Sequence, residues 1–385
     1  MIKETLVIYS PSFVDYKFHE EHPFNPLRIQ LWYELLEAMG AISDQDLVLP
    51  KPVTDEDLLL VHTPDYLEAV KKLSSGIEIE DALKYNLGTE DNPLFPGMHQ
   101  ATAHLVGGTL EAAKLLMKGR AKHALNMAGG LHHAMSDKAS GFCIYNDIAV
   151  AISWLKKNYK LKIMYIDVDA HHGDGVQWIF YKDPDVMKVS IHETGRYLFP
   201  GTGNVRERGE GEGFGYTINM PLEPFTEDDS YIEVLQTLLP SLAKSFQPDL
   251  IVSQHGCDTH EHDPLTHLSI TTKGFAAAAN LIHDLAHQYC DGLWLAVGGG
   301  GYEYWSVVPR SWAILWGVMS GRQLPEYLPK SWLDKWGKAA PGPLPMKLWD
   351  NPKDYPPKPR REEIEEKNRR TAIQALNRPV WNYLL

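Results

Sequence analysis

The chain has 385 residues, 44% of them hydrophobic, and its 37 Lys and Arg against 50 Asp and Glu give a formal net charge of −13. That is enough apolar material for one large α/β domain, and the acidic balance argues against nucleic-acid binding, which needs a basic surface. Cys143, Cys257 and Cys290 are widely spaced and form no CxxC pair, which argues against a disulfide framework or a thiolate zinc site. No apolar run is long enough for a membrane span, and the N-terminus reads as a strand rather than a signal peptide. A cytoplasmic location is therefore expected.

In chain order, apolar runs predict strands at residues 5–9, 122–127, 162–168, 186–192, 249–254 and 293–297, with 216–221 as one more. Helical periodicity falls between them at 26–39, 63–73, 97–118, 146–157, 228–245 and 271–289. The alternation predicts an α/β fold, a single open, mainly parallel sheet flanked by helices. Loops at the C-terminal ends of parallel strands gather on one edge, and sites form there. Residues 1–322 are expected to form this domain. Prolines and tryptophans dominate 323–359, and 360–376 reads as a charged helix. Residues 323–385 are expected to pack on the domain as an extension, burying Trp332, Trp336, Trp349 and Trp381.

Five of the strand-end loops carry chemistry. Gly129-Gly-Leu-His-His133 puts two adjacent histidines in a glycine-bearing turn, where both can project into one pocket as general base and electrostatic partner. The run Asp167-Val-Asp-Ala-His-His-Gly-Asp174 follows a buried strand. If the chain stays extended, Asp167, Asp169 and His171 share one side. Carboxylates and imidazoles this dense are costly to bury without a cation, and Asp169 with His171 suits a zinc-type site. His255-Gly-Cys-Asp-Thr-His-Glu-His-Asp-Pro264 could supply a third ligand, and composition leaves Asp258, His260, His262 and Asp263 all open. Gly298-Gly-Gly-Gly-Tyr302 lacks the Lys-Ser/Thr of a P-loop and instead lets a loop pass close to a site with Tyr302 pointing in. Phe142 and Phe199, in two of these loops, could line an apolar slot for an alkyl chain.

Taken in order, Gly-Gly-Leu-His-His, Gly-Phe-Cys, Asp-Val-Asp-Ala-His-His-Gly-Asp-Gly-Val-Gln, Phe-Pro-Gly-Thr-Gly, Asp-Pro and Gly-Gly-Gly-Gly-Tyr resemble the zinc-dependent histone deacetylases, above all their class I-like bacterial branch, over residues 5–322. The resemblance implies the arginase/deacetylase fold and hydrolysis of an N-acetyl amide. It implies zinc (or Fe²⁺) on Asp169, His171 and Asp263, His–Asp dyads His132–Asp167 and His133–Asp174, and Tyr302 polarising the substrate carbonyl. Gly141, Phe142 and Phe199 would line the acetyl-lysine tunnel, Asp91 would hold substrate backbone at the rim, and Arg28 would stand near an acetate channel. It further implies potassium at Asp167, Asp169, His171, Ser190 and Ile191, and at a second site of Phe180, Asp183, Val186 and Tyr216. Implied partners are acetylated protein substrates such as acetyl-CoA synthetase. The rival on the same fold is an acetylpolyamine amidohydrolase, with the same metal set and a narrower or dimer-built entrance.

Overall fold

The computed structural model describes residues 3–377. Trp381 lies outside the described residues. Eight strands form one sheet: β1 (Lys3–Ile8), β2 (Leu47–Val48), β3 (Ala121–Asn126), β4 (Ile163–Asp167), β5 (Val186–Glu193), β6 (Thr217–Leu222), β7 (Leu250–Gln254) and β8 (Trp294–Val297). Their spatial order is β2-β1-β3-β8-β7-β4-β5-β6, and every pairing is parallel. The helices are α1 (Leu27–Ala38), α2 (Asp55–Leu58), α3 (Pro64–Ser74), α4 (Met98–Met117), α5 (Asp147–Asn158), α6 (Asp174–Ile179), α7 (Asp228–Phe246), α8 (Thr272–Tyr289), α9 (Val308–Ser320), α10 (Lys330–Trp336) and α11 (Arg361–Leu376).

All five residues of β4 and of β7, and all eight of β5, are buried. Helices cover both faces of such strands, so they read as continuous apolar runs rather than alternating ones. Side-chain caps set several helix starts: the Asn146 side chain accepts from the Ala149 N–H at 2.9 Å ahead of α5, and Thr63 and Thr271 cap α3 and α8. The sequence expectations omit β2, α2, α6, α9 and α10. Most of these are short, but α9 is thirteen residues long, and ten of them are buried. Its buried residues include Arg310 and Ser311, polar side chains that break the apolar pattern by which a helix is found.

The described residues beyond α9 pack against the rest of the structure. Trp332 donates from Nε1 to the Leu31 carbonyl at 3.1 Å, and Trp336 donates to Glu34 Oε2 at 2.9 Å. The buried Asn368 of α11 donates to Thr226 Oγ1 at 2.8 Å and Ser230 Oγ at 3.0 Å, and accepts from the Glu223 N–H at 3.0 Å. The Asp350 carboxylate is buried between Arg310 Nη1 (2.8 Å), His260 Nε2 (2.9 Å) and the Thr272 N–H (2.8 Å). The expectation fails at Trp349, which is exposed. Its neighbours Leu348 and Asp350 take the inward positions, and alternation in an extended segment turns Trp349 outward.

Candidate active site

The loops after β3, β4, β7 and β8 converge at the C-terminal edge of four adjacent strands. Asp147, at the start of α5, anchors the first loop. Its carboxylate accepts from the N–H of Gly130 (3.0 Å) and of Leu131 (2.7 Å) and from Thr109 Oγ1 (2.5 Å). The next two residues are thereby aimed at the carboxylates after β4. His132 Nδ1 lies 2.8 Å from Asp167 Oδ2, His133 Nδ1 lies 2.6 Å from Asp174 Oδ1, and the two Nε2 atoms are 3.1 Å apart. Burial disfavours charge on His132, but Asp167, Asp169 and Asp174 outweigh it and raise its pKa to about 9. Burial and the neighbouring His132 lower His133 to about 4. These shifts favour the imidazolium at His132 and the neutral ring at His133.

β4 ends at Asp167, so strand alternation does not carry Asp169 and His171 into the site. Two turns closed by side chains do so instead: the Asp169 N–H bonds Asp167 Oδ1 at 3.2 Å and the His171 N–H bonds Asp169 Oδ1 at 2.9 Å. Asp169, His171 and Asp258 bring ligand atoms within 4.8 Å of one another, all three buried. His171 Nδ1 is 2.8 Å from Asp258 Oδ2, whose partner oxygen accepts from the Ala170 N–H at 2.9 Å. Asp263 is not in that cluster. Its oxygens accept from the N–H groups of Tyr302 (2.8 Å) and Leu265 (3.0 Å), beside it.

This donor set suits a divalent cation. Burial, reinforced by Asp169, pushes Asp258 up to about 8, and burial pushes Asp263 up to about 6. Three carboxylates around one imidazole are more negative charge than the buried site holds ionised, and a metal ion supplies the counter-charge. The backbone is built close for the same purpose. Gly300 donates its N–H to Asp169 Oδ2 at 2.7 Å, and a Cβ on it would fall 2.0 Å from Asp258 Oδ2. At Gly299 φ is +141°, which an L side chain rarely adopts.

Above this floor a cavity of ≈ 210 Å³ opens outward, lined among others by His133, His171, Tyr302, Phe142, Phe199 and Leu265, with Asp91 and Gly141 also on its wall. The Phe199 ring stands edge-on to His133 at 5.0 Å and the Phe142 ring edge-on to Tyr302 at 6.0 Å. Behind the floor Arg28 is buried, its guanidinium carbon 4.2 Å from the Phe24 ring centroid. It donates to the Gly301 carbonyl at 3.2 Å, while its Nε has no partner and no carboxylate pairs with it among the described residues.

A histone deacetylase domain model matches residues 22–319, well over half of the chain. The chain belongs to the histone deacetylase family. The acetoin utilization protein AcuC of Bacillus subtilis (strain 168) is 53% identical over 377 residues, 97% of either chain. The AcuC of Staphylococcus aureus (strain MRSA252) is 44% identical over 374 residues, 97% of this chain and 96% of that one. Among solved structures, a histone deacetylase homologue complexed with SAHA superposes with a TM-score of 0.87 at 30% identity, covering 96% of this chain and all of the other. A homologue from Aquifex aeolicus gives 0.85 at 30%, with the same coverage. The protein is a hydrolase of the deacetylase type, in a family whose members depend on a metal ion.

Within this deacetylase, one expectation is corrected. The second potassium site was to be Phe180, Asp183, Val186 and Tyr216. Lys188, itself buried, directs Nζ to the carbonyls of Phe180 (2.6 Å) and Asp183 (3.3 Å), and its N–H takes the Tyr216 carbonyl at 2.8 Å. The Lys188 amine already occupies these carbonyls, leaving no room for a second cation, although burial lowers its pKa to about 7. The Asp183 carboxylate is paired with Lys156. At the first potassium position, Asp167 and Ser190 lie in register on β4 and β5, with Ile191 next along the strand.

Several supporting residues escaped sequence reasoning. Gln254, the last residue of β7, donates to Asp169 Oδ2 at 2.6 Å, and Tyr165 donates to Asp167 Oδ2 at 2.5 Å. Tyr165 stands two residues before Asp167 on β4, so its direction was readable from strand parity. Leu198 and Leu265 on the tunnel wall had no signal beyond lying beside Phe199 and Asp263.

Proposed function

We propose that this deacetylase hydrolyses N6-acetyl-lysine in proteins to lysine and acetate, with zinc held by Asp169, His171 and Asp263. Asp263 is preferred to Asp258 because it neighbours Tyr302 and Leu265 on the tunnel wall, the side from which a substrate arrives. Asp258, sealed under Gly300, is assigned to orienting His171. Fe²⁺ suits the same donors. When bound, the metal supplies Lewis acidity toward a carbonyl and a water.

The chain's own groups do the rest. Phe142 and Phe199 flank the aliphatic stem of the acetyl-lysine, and Asp91 at the rim takes substrate backbone N–H groups. Neutral His133, held by Asp174, removes a proton from the attacking water and returns it to the leaving amine as the C–N bond breaks. The His132 imidazolium, fixed by Asp167, offsets the negative charge that gathers in the site. Tyr302 donates its hydroxyl to the carbonyl oxygen as charge builds there. Arg28, a buried cation without a carboxylate partner, suits the released acetate. The observation that carries this reading is the meeting of His133, His171 and Tyr302 on one tunnel floor.

Potassium is assigned to the Asp167, Asp169, His171, Ser190 and Ile191 position alone. Residues 1–322 are assigned as the catalytic domain and 323–385 as its extension. Among the described residues no helix is long and apolar enough to cross a membrane, in keeping with work in the cytoplasm. The AcuC relatives bear the name of acetoin utilisation, which favours a substrate among metabolic enzymes, acetyl-CoA synthetase first. The test is acetate release from acetylated acetyl-CoA synthetase, acetyl-lysine peptides and acetylspermidine, with and without chelator. Chelator-sensitive release from the proteins and peptides is expected. Turnover confined to acetylspermidine would transfer the assignment to the acetylpolyamine amidohydrolases.

A further inference from the structure

At the opposite edge of the sheet from the active site, three histidines and a glutamate meet. Glu4 is the second residue of β1 and His123 the third of β3, near the strand starts. His283 and His287 stand four residues apart near the end of α8, on one helix face. The His123 side chain is fully buried, and neither ring nitrogen makes a well-formed hydrogen bond, Nε2 standing 3.4 Å from Glu4 Oε1. Buried polar atoms are nearly always paired, and leaving one unpaired is destabilising. The other two imidazoles face it, with ring centroids 5.1 Å away in each case. All three present ring nitrogens within 4.8 Å of one another.

The spacing is that of a coordination shell. His283 Nε2 is 3.1 Å from His287 Nε2, His123 Nε2 is 3.4 Å from Glu4 Oε1, and His287 Nε2 is 3.7 Å from the same oxygen. Donors about 2.0–2.1 Å from a tetrahedral zinc ion sit about 3.3 Å from each other. Burial first, and then the neighbouring rings, lower the pKa of His123 and of His283. These imidazoles therefore stay neutral with lone pairs free, the form that a metal binds. The opening is on the outside: the His287 side chain is 45% exposed, so an ion reaches the cluster without unfolding.

We propose that His123, His283 and His287 form a second, structural divalent-metal site, of three nitrogens with Glu4 at its rim, suited to Zn²⁺. It ties the last turn of α8 to the start of β3. Imidazole-rich sets suit Zn²⁺, Ni²⁺ and Cu²⁺ and disfavour Mg²⁺ and Ca²⁺. The site shares no residue with the catalytic centre, so its fate is read separately from the deacetylase reading.

The test is zinc stoichiometry on untagged protein, stripped and then reloaded with Zn²⁺. Wild type is expected to hold two equivalents per chain and His283→Ala/His287→Ala one, with kcat/KM unchanged. Conversely, Asp169→Ala/His171→Ala should keep the outer equivalent while losing the catalytic one. Should the double alanine variant fold poorly, His287→Gln alone should weaken the outer equivalent at least tenfold. Added Zn²⁺ should also raise the melting temperature of Asp169→Ala/His171→Ala, and Mg²⁺ should not. A wild type that binds one equivalent, or a His283→Ala/His287→Ala variant that still binds two, overturns the proposal.

Discussion

Replacing Tyr302 by Phe removes one oxygen atom and little else. The ring keeps its edge contacts with Phe142 at 6.0 Å and His171 at 6.3 Å, and the backbone N–H keeps its 2.8 Å bond to Asp263. The hydroxyl makes no hydrogen bond with another described residue, so its loss strands no partner, and stability should change by no more than about 0.5 kcal/mol. Burial, with Asp258 and Asp169 nearby, holds the phenol well above its usual pKa, so it is a neutral donor throughout the working range. Its bond to the substrate oxygen strengthens as charge builds there. Losing one such donor costs about 10²–10³-fold in kcat, about 3–4 kcal/mol. The loss should fall on kcat more than on KM, because the ground-state carbonyl gains little from the bond. The assay is steady-state acetate release from an acetyl-lysine peptide, with zinc content and melting temperature measured on the same preparation. A variant that holds wild-type zinc and turns over within about threefold of wild type would refute the role assigned to Tyr302.

His133→Ala should reduce kcat more than His132→Ala, since of the two rings His133 has the lowered pKa that favours a neutral base; the reverse order in the same assay rules out His133 as the base. Asp263→Asn should lose catalytic zinc outright, whereas Asp258→Asn should retain it with an affinity about 10–100-fold weaker, as for other groups that orient a ligand; metal analysis giving the opposite ranking makes Asp258 the ligand. In metal-free protein, His22, His62 and His133 have pKa values lowered to about 4 and His123 and His255 to about 3, each chiefly by burial. The unfolded chain takes up these protons below about pH 6.5 while the folded one does not. Their contribution is whole above that pH and is lost as pH falls toward 4. Asp258, Asp263, His132 and His171, all raised, act in the opposite sense but are outnumbered once His172, His192, His262 and His283, all lowered, are added. The urea midpoint should fall from pH 7 to pH 5, and a midpoint that holds or rises would contradict this. Asp350→Ala should cost about 3–5 kcal/mol by leaving Arg310 buried without its partner; a melting temperature within a degree of wild type would show the pair to be dispensable.

What could be read from the sequence depended on whether a residue's position follows from a period. The strands that carry the site are continuous apolar runs, and parallel order then puts their loops on one edge, so His132, Asp167 and Tyr302 could be gathered before any coordinates. Asp169 and His171 lie past the end of β4, where side-chain-closed turns replace the pleat. Alternation named the right residues there for a reason that does not operate. Asp258 and Asp263 share one irregular loop, and no period distinguishes the carboxylate that joins His171 from the one that joins Tyr302. Lys188 is hidden differently. In a strand it looks like an ordinary outward-facing lysine, and only the fold shows it bonded inward to Phe180 and Asp183.

Asp350 bears on how the enzyme is made. Its carboxylate braces His260, within the loop that carries both Asp258 and Asp263, and His260 has no other acidic brace among the described residues. During synthesis every residue assigned to catalysis leaves the ribosome well before Asp350 does. A nascent chain therefore holds the full set of reactive groups while that loop still lacks its strut. Competence is expected to arrive late, when the segment after α9 closes over the loop, so that an unfinished chain is a poor hydrolase.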